Sequence, residues 1–181
     1  MLSKLRHGVQ GALVFLLVTV STIVLTSVIA ILAIFKFLAP RGRAFNALTY
    51  LASWFGELWV SVNNGLISCY RGMEWDVRLP DDLNHKGRYL VICNHQSGVD
   101  ILTLQYCLNR RVPFGRYLLK QQLIWVPVLG IAWWALDMAF LRRYSRQELL
   151  RNPALRGKDL ENAARACEKL KHIPVSMMTF P

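Results

Sequence analysis

No charged residue lies between positions 8 and 35, and no other feature limits what this chain can fold into as strongly. A helix rises about 1.5 Å per residue and needs roughly 20 apolar residues to cross a bilayer core, so the run is long enough for a membrane anchor. A secretory signal has a shorter apolar region and a small-residue cleavage site before a polar mature start. An uncleaved anchor over residues 1–43 is therefore expected. Whether it crosses the bilayer or lies in one leaflet stays open on sequence grounds. Lys4 and Arg6 precede the run, and Lys36, Arg41 and Arg43 follow it. The slight excess after the run leans toward a remainder on the cytoplasmic side, at the inner membrane in a bacterium.

The formal net charge is +11, with 54% hydrophobic residues. That charge selects an anionic partner: nucleic acid, phospholipid headgroups or an acidic carrier protein. The apolar content is high for a soluble nucleic-acid binder, so a phospholipid surface is expected and nucleic acid is not. Cys69, Cys93, Cys107 and Cys167 are scattered, with no Cys-x-x-Cys and no histidine at ligand spacing. Neither a metal site nor a disulfide framework is expected, and the four read as reduced core residues.

Residues 44–70 form a separate helical unit. Phe45, Leu48, Ala52, Phe55, Trp59, Val62 and Leu66 recur at spacings of three and four, with Asn46, Tyr50, Ser53, Glu57 and Asn64 opposite. Two placements fit equally: a helix packed on the core, or one lying in the membrane interface. The second is suggested by Glu57 being the only charge between 45 and 66, with two Trp on or beside the apolar face.

Beyond residue 70 the pattern changes to short strands and helices. Residues 73–79 alternate strictly, with Trp75, Val77 and Leu79 on one face, as in a half-exposed edge strand. Residues 89–93 are a continuous apolar run, the pattern of a strand buried on both faces. It leads into Asn94-His95-Gln96-Ser97-Gly98-Val99-Asp100, and Asp100 opens a helix with an acid at its positive end. Open α/β sheets place their chemistry at such a crossing, outside the carboxyl ends of the strands. A bend there lets Asp100 hold one imidazole nitrogen of His95 while the other takes a proton. The competing reading is a plain Asn-His turn capped by Ser97. His85 reads as a solvated loop residue.

Downstream, residues 112–119 are extended and end at Lys120, and Pro127 and Gly130 break the following segment. Residues 139–141 read as a strand ending in Arg142 and Arg143. Residues 159–171 form an amphipathic helix with Leu160, Ala163, Ala164, Cys167 and Leu170 inward and Glu161 facing Arg165. Residues 175–180 are a buried-strand pattern followed by Pro181.

Asn94-His95, four residues and Asp100, then Lys120-Gln121-Gln122-Leu123, Pro127, Gly130, Phe140 and Arg143, resemble the first two sequence blocks of the glycerolipid acyltransferase family. The resemblance covers about residues 56–181. It implies an α/β fold: N-terminal membrane helices followed by a partial acyltransferase domain, residues 71–181, with helices around a mixed sheet. It also implies transfer of a fatty acyl group from a thioester donor, acyl-CoA or acyl carrier protein, to the hydroxyl of a lysophospholipid such as lysophosphatidic acid. No other cofactor is implied, and the partner surface is membrane phospholipid, on which residues 44–70 would dock.

In this reading His95 is the general base and Asp100 its partner. Asn94 shapes the turn and Ser97 hydrogen-bonds within the loop. Lys120 and Arg143 attract the acceptor phosphate. The family follows Phe-Pro with a Glu-Gly-Thr-Arg block whose Arg holds that phosphate, and this chain stops at Phe180-Pro181. An incomplete domain is therefore expected, with strand 175–180 left as a bare edge. Residues 131–136, with Trp133 and Trp134, read equally as core or membrane-facing surface and as part of an acyl-chain groove. Two alternatives stand beside the enzyme: an inactive membrane-associated fragment, and a hydrolase using Ser97. The second lacks a Gly-x-Ser-x-Gly elbow.

Overall fold

A computed structural model of the protein describes residues 2–70, 74–142, 144–170 and 173–180. Two long helices lead the chain, α1 over Leu2–Leu38 and α2 over Arg43–Ser68. Gln10 Nε2 donates to the Cys69 carbonyl (2.6 Å), Ser21 Oγ to Asn63 Oδ1 (2.6 Å) and Trp59 Nε1 to Thr22 Oγ1 (3.0 Å). Rising numbers in α1 thus meet falling numbers in α2, and the pair is an antiparallel hairpin. Within the charge-free stretch of α1, side-chain amide and hydroxyl groups supply the polar contacts to α2.

Among the described residues, one helix is long and apolar enough to cross a membrane, Arg6–Leu38. It is not a detached anchor. Ile29 and Ala33 belong to the same buried cluster as Tyr117, Leu136 and Met178 of the α/β body. Lys36, almost fully buried, donates to the Ala135 carbonyl at 2.9 Å and pairs with Asp137 at 3.0 Å. Helix α2 buries Ala52, Gly56, Val60, Asn63 and Ile67. Gly56 faces the Phe114 ring and Leu136 so closely that a Cβ would sit 2.7 Å from the ring. Packing on the core therefore holds for this face of α2, while Tyr50, Leu51 and Trp54 stay exposed.

Among the described residues, four strands form one sheet: β1 (Arg88–Ile92), β2 (Gly115–Lys120), β3 (Ala139–Leu141) and β4 (Val175–Thr179), in the order β1-β4-β2-β3. Every pairing is parallel, so the mixed sheet implied by the resemblance is corrected. The reason lies in the connections. Helix α3 (Val99–Leu108), helix α4 (Leu129–Ala135), then α5 (Arg146–Arg151) with α6 (Lys158–Leu170) return the chain to the same end each time. A helical crossover yields a parallel neighbour.

Strand β4 enters last and lies between β1 and β2, with Val175, Ser176, Met177 and Met178 buried. It is not the bare edge expected of residues 175–180. The edges are β1 and β3; on β1, Leu90 and Ile92 are each 65% exposed, while Tyr89 and Val91 pack inward. Burial of residues 89–93 on both faces is thus also corrected. No strand forms over residues 74–79 despite their alternation, and Met73 lies outside the described residues. Trp75 instead stacks on Tyr106 of α3 at 4.0 Å, and Arg78 pairs with Asp76 at 2.9 Å. Alternation forms a strand only where a ladder partner satisfies the backbone.

Two further expectations change. Cys69 and Cys167 are exposed and Cys93 and Cys107 half-buried, so none is a fully buried core residue. On α6, Leu170 is buried, but Leu160, Ala164 and Cys167 face outward. The helix is thinly covered, and only part of its apolar stripe is used.

Gly130 lies in the first turn of α4, just after the connection from the 3-10 segment Gln121–Trp125. A Cβ there would lie 2.0 Å from the Ile124 carbonyl oxygen, a backbone atom that cannot swing aside. Gly130→Ala should therefore cost about 1–3 kcal/mol through forced backbone shifts. That lowers Tm by roughly 2–12 °C for a chain of this size. Gly65→Ala in α2 meets nothing within 4 Å and serves as the matched control, with an unchanged or raised Tm. Equal melting of the two variants in detergent would refute the close-approach argument.

Candidate active site

Strand β1 ends at Ile92, and Cys93 N–H still bonds to the Thr179 carbonyl of β4 at 3.1 Å. The chain then leaves the sheet. Asn94 Oδ1 accepts from His95 N–H at 3.0 Å, turning the backbone immediately after the strand. Asp100, in the first turn of α3, closes the loop from the other side. Its Oδ2 accepts the backbone N–H groups of Gln96 (2.5 Å) and Ser97 (2.7 Å) and lies 3.3 Å from His95 Nδ1. Ser97 Oγ accepts from Val99 N–H at 3.3 Å and lies 3.5 Å from Asp100 Oδ1.

One carboxylate oxygen therefore does two jobs, fixing the loop and holding the imidazole. The capped turn and the His-Asp pair, alternatives on the sequence alone, are the same structure. The backbone N–H of Ser97, then that of Gln96, hold the Asp100 carboxyl below its ordinary value. Desolvation opposes them, and His95 adds a smaller favourable effect. With Nδ1 turned to Asp100, Nε2 is the nitrogen left to exchange a proton. The His95 side chain is 40% exposed and that of Asp100 28%, so a substrate can reach the pair.

The face of the imidazole is also occupied. Phe180, one residue past β4, packs against it with ring centroids 4.6 Å apart and a tilt of 33°. Behind Phe180 stands Tyr117 of β2, nearly coplanar in orientation at 6.1 Å. Sequence reasoning assigned Phe180 no role at the site. Its only signal was its place at the end of an apolar strand. The backbone donors of Gln96 and Ser97 left no signal, because they belong to no residue type.

Lys120 ends β2 and is exposed at the same end of the sheet as His95. With β4 between them, β1 and β2 are about 10 Å apart, two inter-strand spacings. Lys120 and His95 thus stand apart along the carboxyl end of the sheet. Arg143 lies outside the described residues. Its neighbour Arg142 pairs with Glu148 at 3.3 Å, and Glu148 in turn closes a capping box with Ser145 at the start of α5. His85 approaches Glu57 of α2 at 3.7 Å, within a cleft lined also by Arg110 and Phe114 at the amino end of β2. That is the end of the sheet opposite His95.

Comparison with known proteins gives two matches. A family model described as Acyltransferase matches residues 74–178, which include the whole 94–100 loop and Lys120. The 1-acyl-sn-glycerol-3-phosphate acyltransferase of Haemophilus influenzae is 33% identical over 97 residues, 53% of this chain and 35% of that protein. The chain thus spans about a third of the length of the curated relative it matches. No solved structure matches it.

Proposed function

The chain belongs to the acyltransferase family, and from that membership we propose that it transfers a fatty acyl group from a thioester donor to the hydroxyl of a lysophospholipid, with lysophosphatidic acid the first candidate. The donor is acyl-CoA or acyl carrier protein, and nothing further is required as cofactor. The observation that carries this reading is the contact of His95 Nδ1 with Asp100 at the carboxyl end of a parallel strand.

In the forward step His95 Nε2 takes the proton of the acceptor hydroxyl as its oxygen attacks the thioester carbonyl. The C–S bond then breaks, and the imidazolium returns the proton to the leaving thiolate. A positioned base contributes about 10²–10⁴-fold to such a step. Asp100 stabilises the imidazolium in between. The acceptor's own hydroxyl is the nucleophile, so no activated Ser or Cys is needed. Ser97 does not favour the hydrolase reading, because its hydroxyl is turned to Val99 N–H and Asp100 rather than to His95. Lys120 is assigned to attract the acceptor phosphate. The resemblance gives Arg143 the same task.

The reading places the protein on a membrane by α1, with the catalytic body on the cytoplasmic side. Helix α2 lies along α1 from Gln10 to Thr22, and α4 is bolted to it at Lys36. A full crossing perpendicular to the bilayer would carry the stretch of α2 beside Gln10–Thr22 into the hydrocarbon, Asn63 included. Insertion of the hairpin into one leaflet avoids that cost.

Membranes carrying the protein should convert lysophosphatidic acid and labelled acyl donor to phosphatidic acid. A monoacylglycerol lacking the phosphate should be used at least about tenfold less well, the worth of one charged hydrogen bond. Parallel arms with acyl-CoA and acyl carrier protein identify the donor. Release of free fatty acid without transfer would replace this reading with a hydrolase.

A further inference from the structure

We propose that residues 121–136 are a second membrane-contact surface, seating the carboxyl end of the sheet on an anionic lipid surface. The 3-10 segment Gln121–Trp125 leaves directly from Lys120, at the end of the sheet that carries His95. Trp125 is 84% exposed, and Ile124, Val128, Ile131 and Trp134 are exposed beside it. Helix α4 is apolar on both sides: Ala132 and Ala135 are completely buried against α1, and Ile131 and Trp134 look outward. A bare aromatic and aliphatic face of this kind marks an interaction site on a folded protein.

Two observations choose lipid over protein as its occupant. The face is continuous with the exposed apolar band of α1, since Trp134 meets the exposed Phe37 edge-on at 6.4 Å. Lys36, bonded to Ala135 and Asp137, locks the helices together, so both surfaces move as one body. The charge around the face is also one-sided. No acid occurs between residues 101 and 136 or before Glu57, while Lys120, Arg41 and Arg43 are exposed. Trp among bare apolar groups, flanked by cations and with the adjoining Asp137 held in its pair with Lys36, is the composition of a lipid interface. With the face seated, an acceptor reaches the site from the leaflet in which it already resides.

The surface itself does not depend on the acyltransferase reading, and only the activity arm of its test does. The protein labelled with 5-fluorotryptophan and held in nanodiscs of phosphatidylcholine and phosphatidylglycerol gives a fluorine resonance for Trp125, identified as the one lost in Trp125→Phe. Broadening by a lipid-borne nitroxide and protection from an aqueous gadolinium chelate are expected. Trp75, stacked on Tyr106, is the internal comparison. A Trp125 resonance broadened only from water, or shielded from both agents, overturns the proposal, the latter by placing a protein partner there.

In the second arm, Trp125→Glu with Ile131→Glu should lower turnover of vesicle-borne acceptor by about tenfold and of a short-chain monomeric acceptor by less than about twofold. Equal loss on both acceptors would make the face an acyl-chain groove and overturn the proposal. Wild-type protein without turnover would refute the acyltransferase reading, and the fluorine arm would still judge the surface.

Discussion

His95→Ala should lower acyl transfer by about 10²–10⁴-fold, the contribution of a positioned base, with membrane attachment and Tm close to wild type. In the proposed mechanism the acceptor proton passes through the imidazole, so the loss is expected on turnover. Stability should change little. The ring is partly exposed, its partner Asp100 keeps two backbone donors, and Phe180 still packs on Tyr117. A surface substitution of this kind shifts stability by only about 0.5 kcal/mol. His85→Ala is the informative comparison. His85 also faces a carboxylate, that of Glu57, but at the amino end of the strands. It should retain activity within about twofold. Half the wild-type rate in His95→Ala would remove His95 from the mechanism, and a parallel loss in His85→Ala would point to unfolding.

The His95-Asp100 pair was legible because everything that makes it is local: one strand end, one bend and one helix start within a single stretch. The order of the strands was not. Register pairs Arg88 with Val175 and Gly115 with Ser176, contacts far apart in sequence, and no pattern within 175–180 says which strands flank it. The apolar run alone suggests a central β1, and the bare edge expected of 175–180 rests on the resemblance, which places its flanking strands beyond Pro181. Apolar continuity marks a strand but not its neighbours, and Leu90 and Ile92 look the same in sequence whether covered or bare. The segment 74–79 shows the converse, a strand pattern left without a ladder. Lys36 reads as the flank of a membrane helix until Ala135 and Asp137 are seen to receive it. Phe180 gained its place beside His95 the same way, from a pairing of strands that no single window contains.

Asp100 should separate two roles when replaced in two ways. Asp100→Ala removes the acceptor for Gln96 N–H and Ser97 N–H and the partner of His95 together, since all three converge on Oδ2. Loop and imidazole are released at once, and transfer should fall about as far as in His95→Ala, roughly 10²–10⁴-fold. Asp100→Asn is different here from the usual triad case, in which the amide selects the wrong tautomer. Two backbone donors already point at the Oδ2 position, so the amide oxygen must take it, and the amide nitrogen goes to the side of Ser97 Oγ. His95 Nδ1–H then still finds an acceptor, and only the charge that stabilises the imidazolium is lost. A hydrogen bond to a charged group is worth about 1.5–3 kcal/mol, so the Asn variant should fall by roughly 10–150-fold.

The pH dependence has a definite sign. A carboxyl held below its ordinary value of 3.8 stabilises the loop fully above that value and loses the effect as pH falls through the lower folded value. Exchange protection of the Gln96 and Ser97 amides should therefore persist through mildly acidic pH in wild type and drop only in strong acid. In the Asn variant it should stay flat. An Asn variant as inactive as the Ala variant would show that the amide turns its nitrogen toward His95. The backbone donors of the 94–100 loop would then not set the orientation of residue 100.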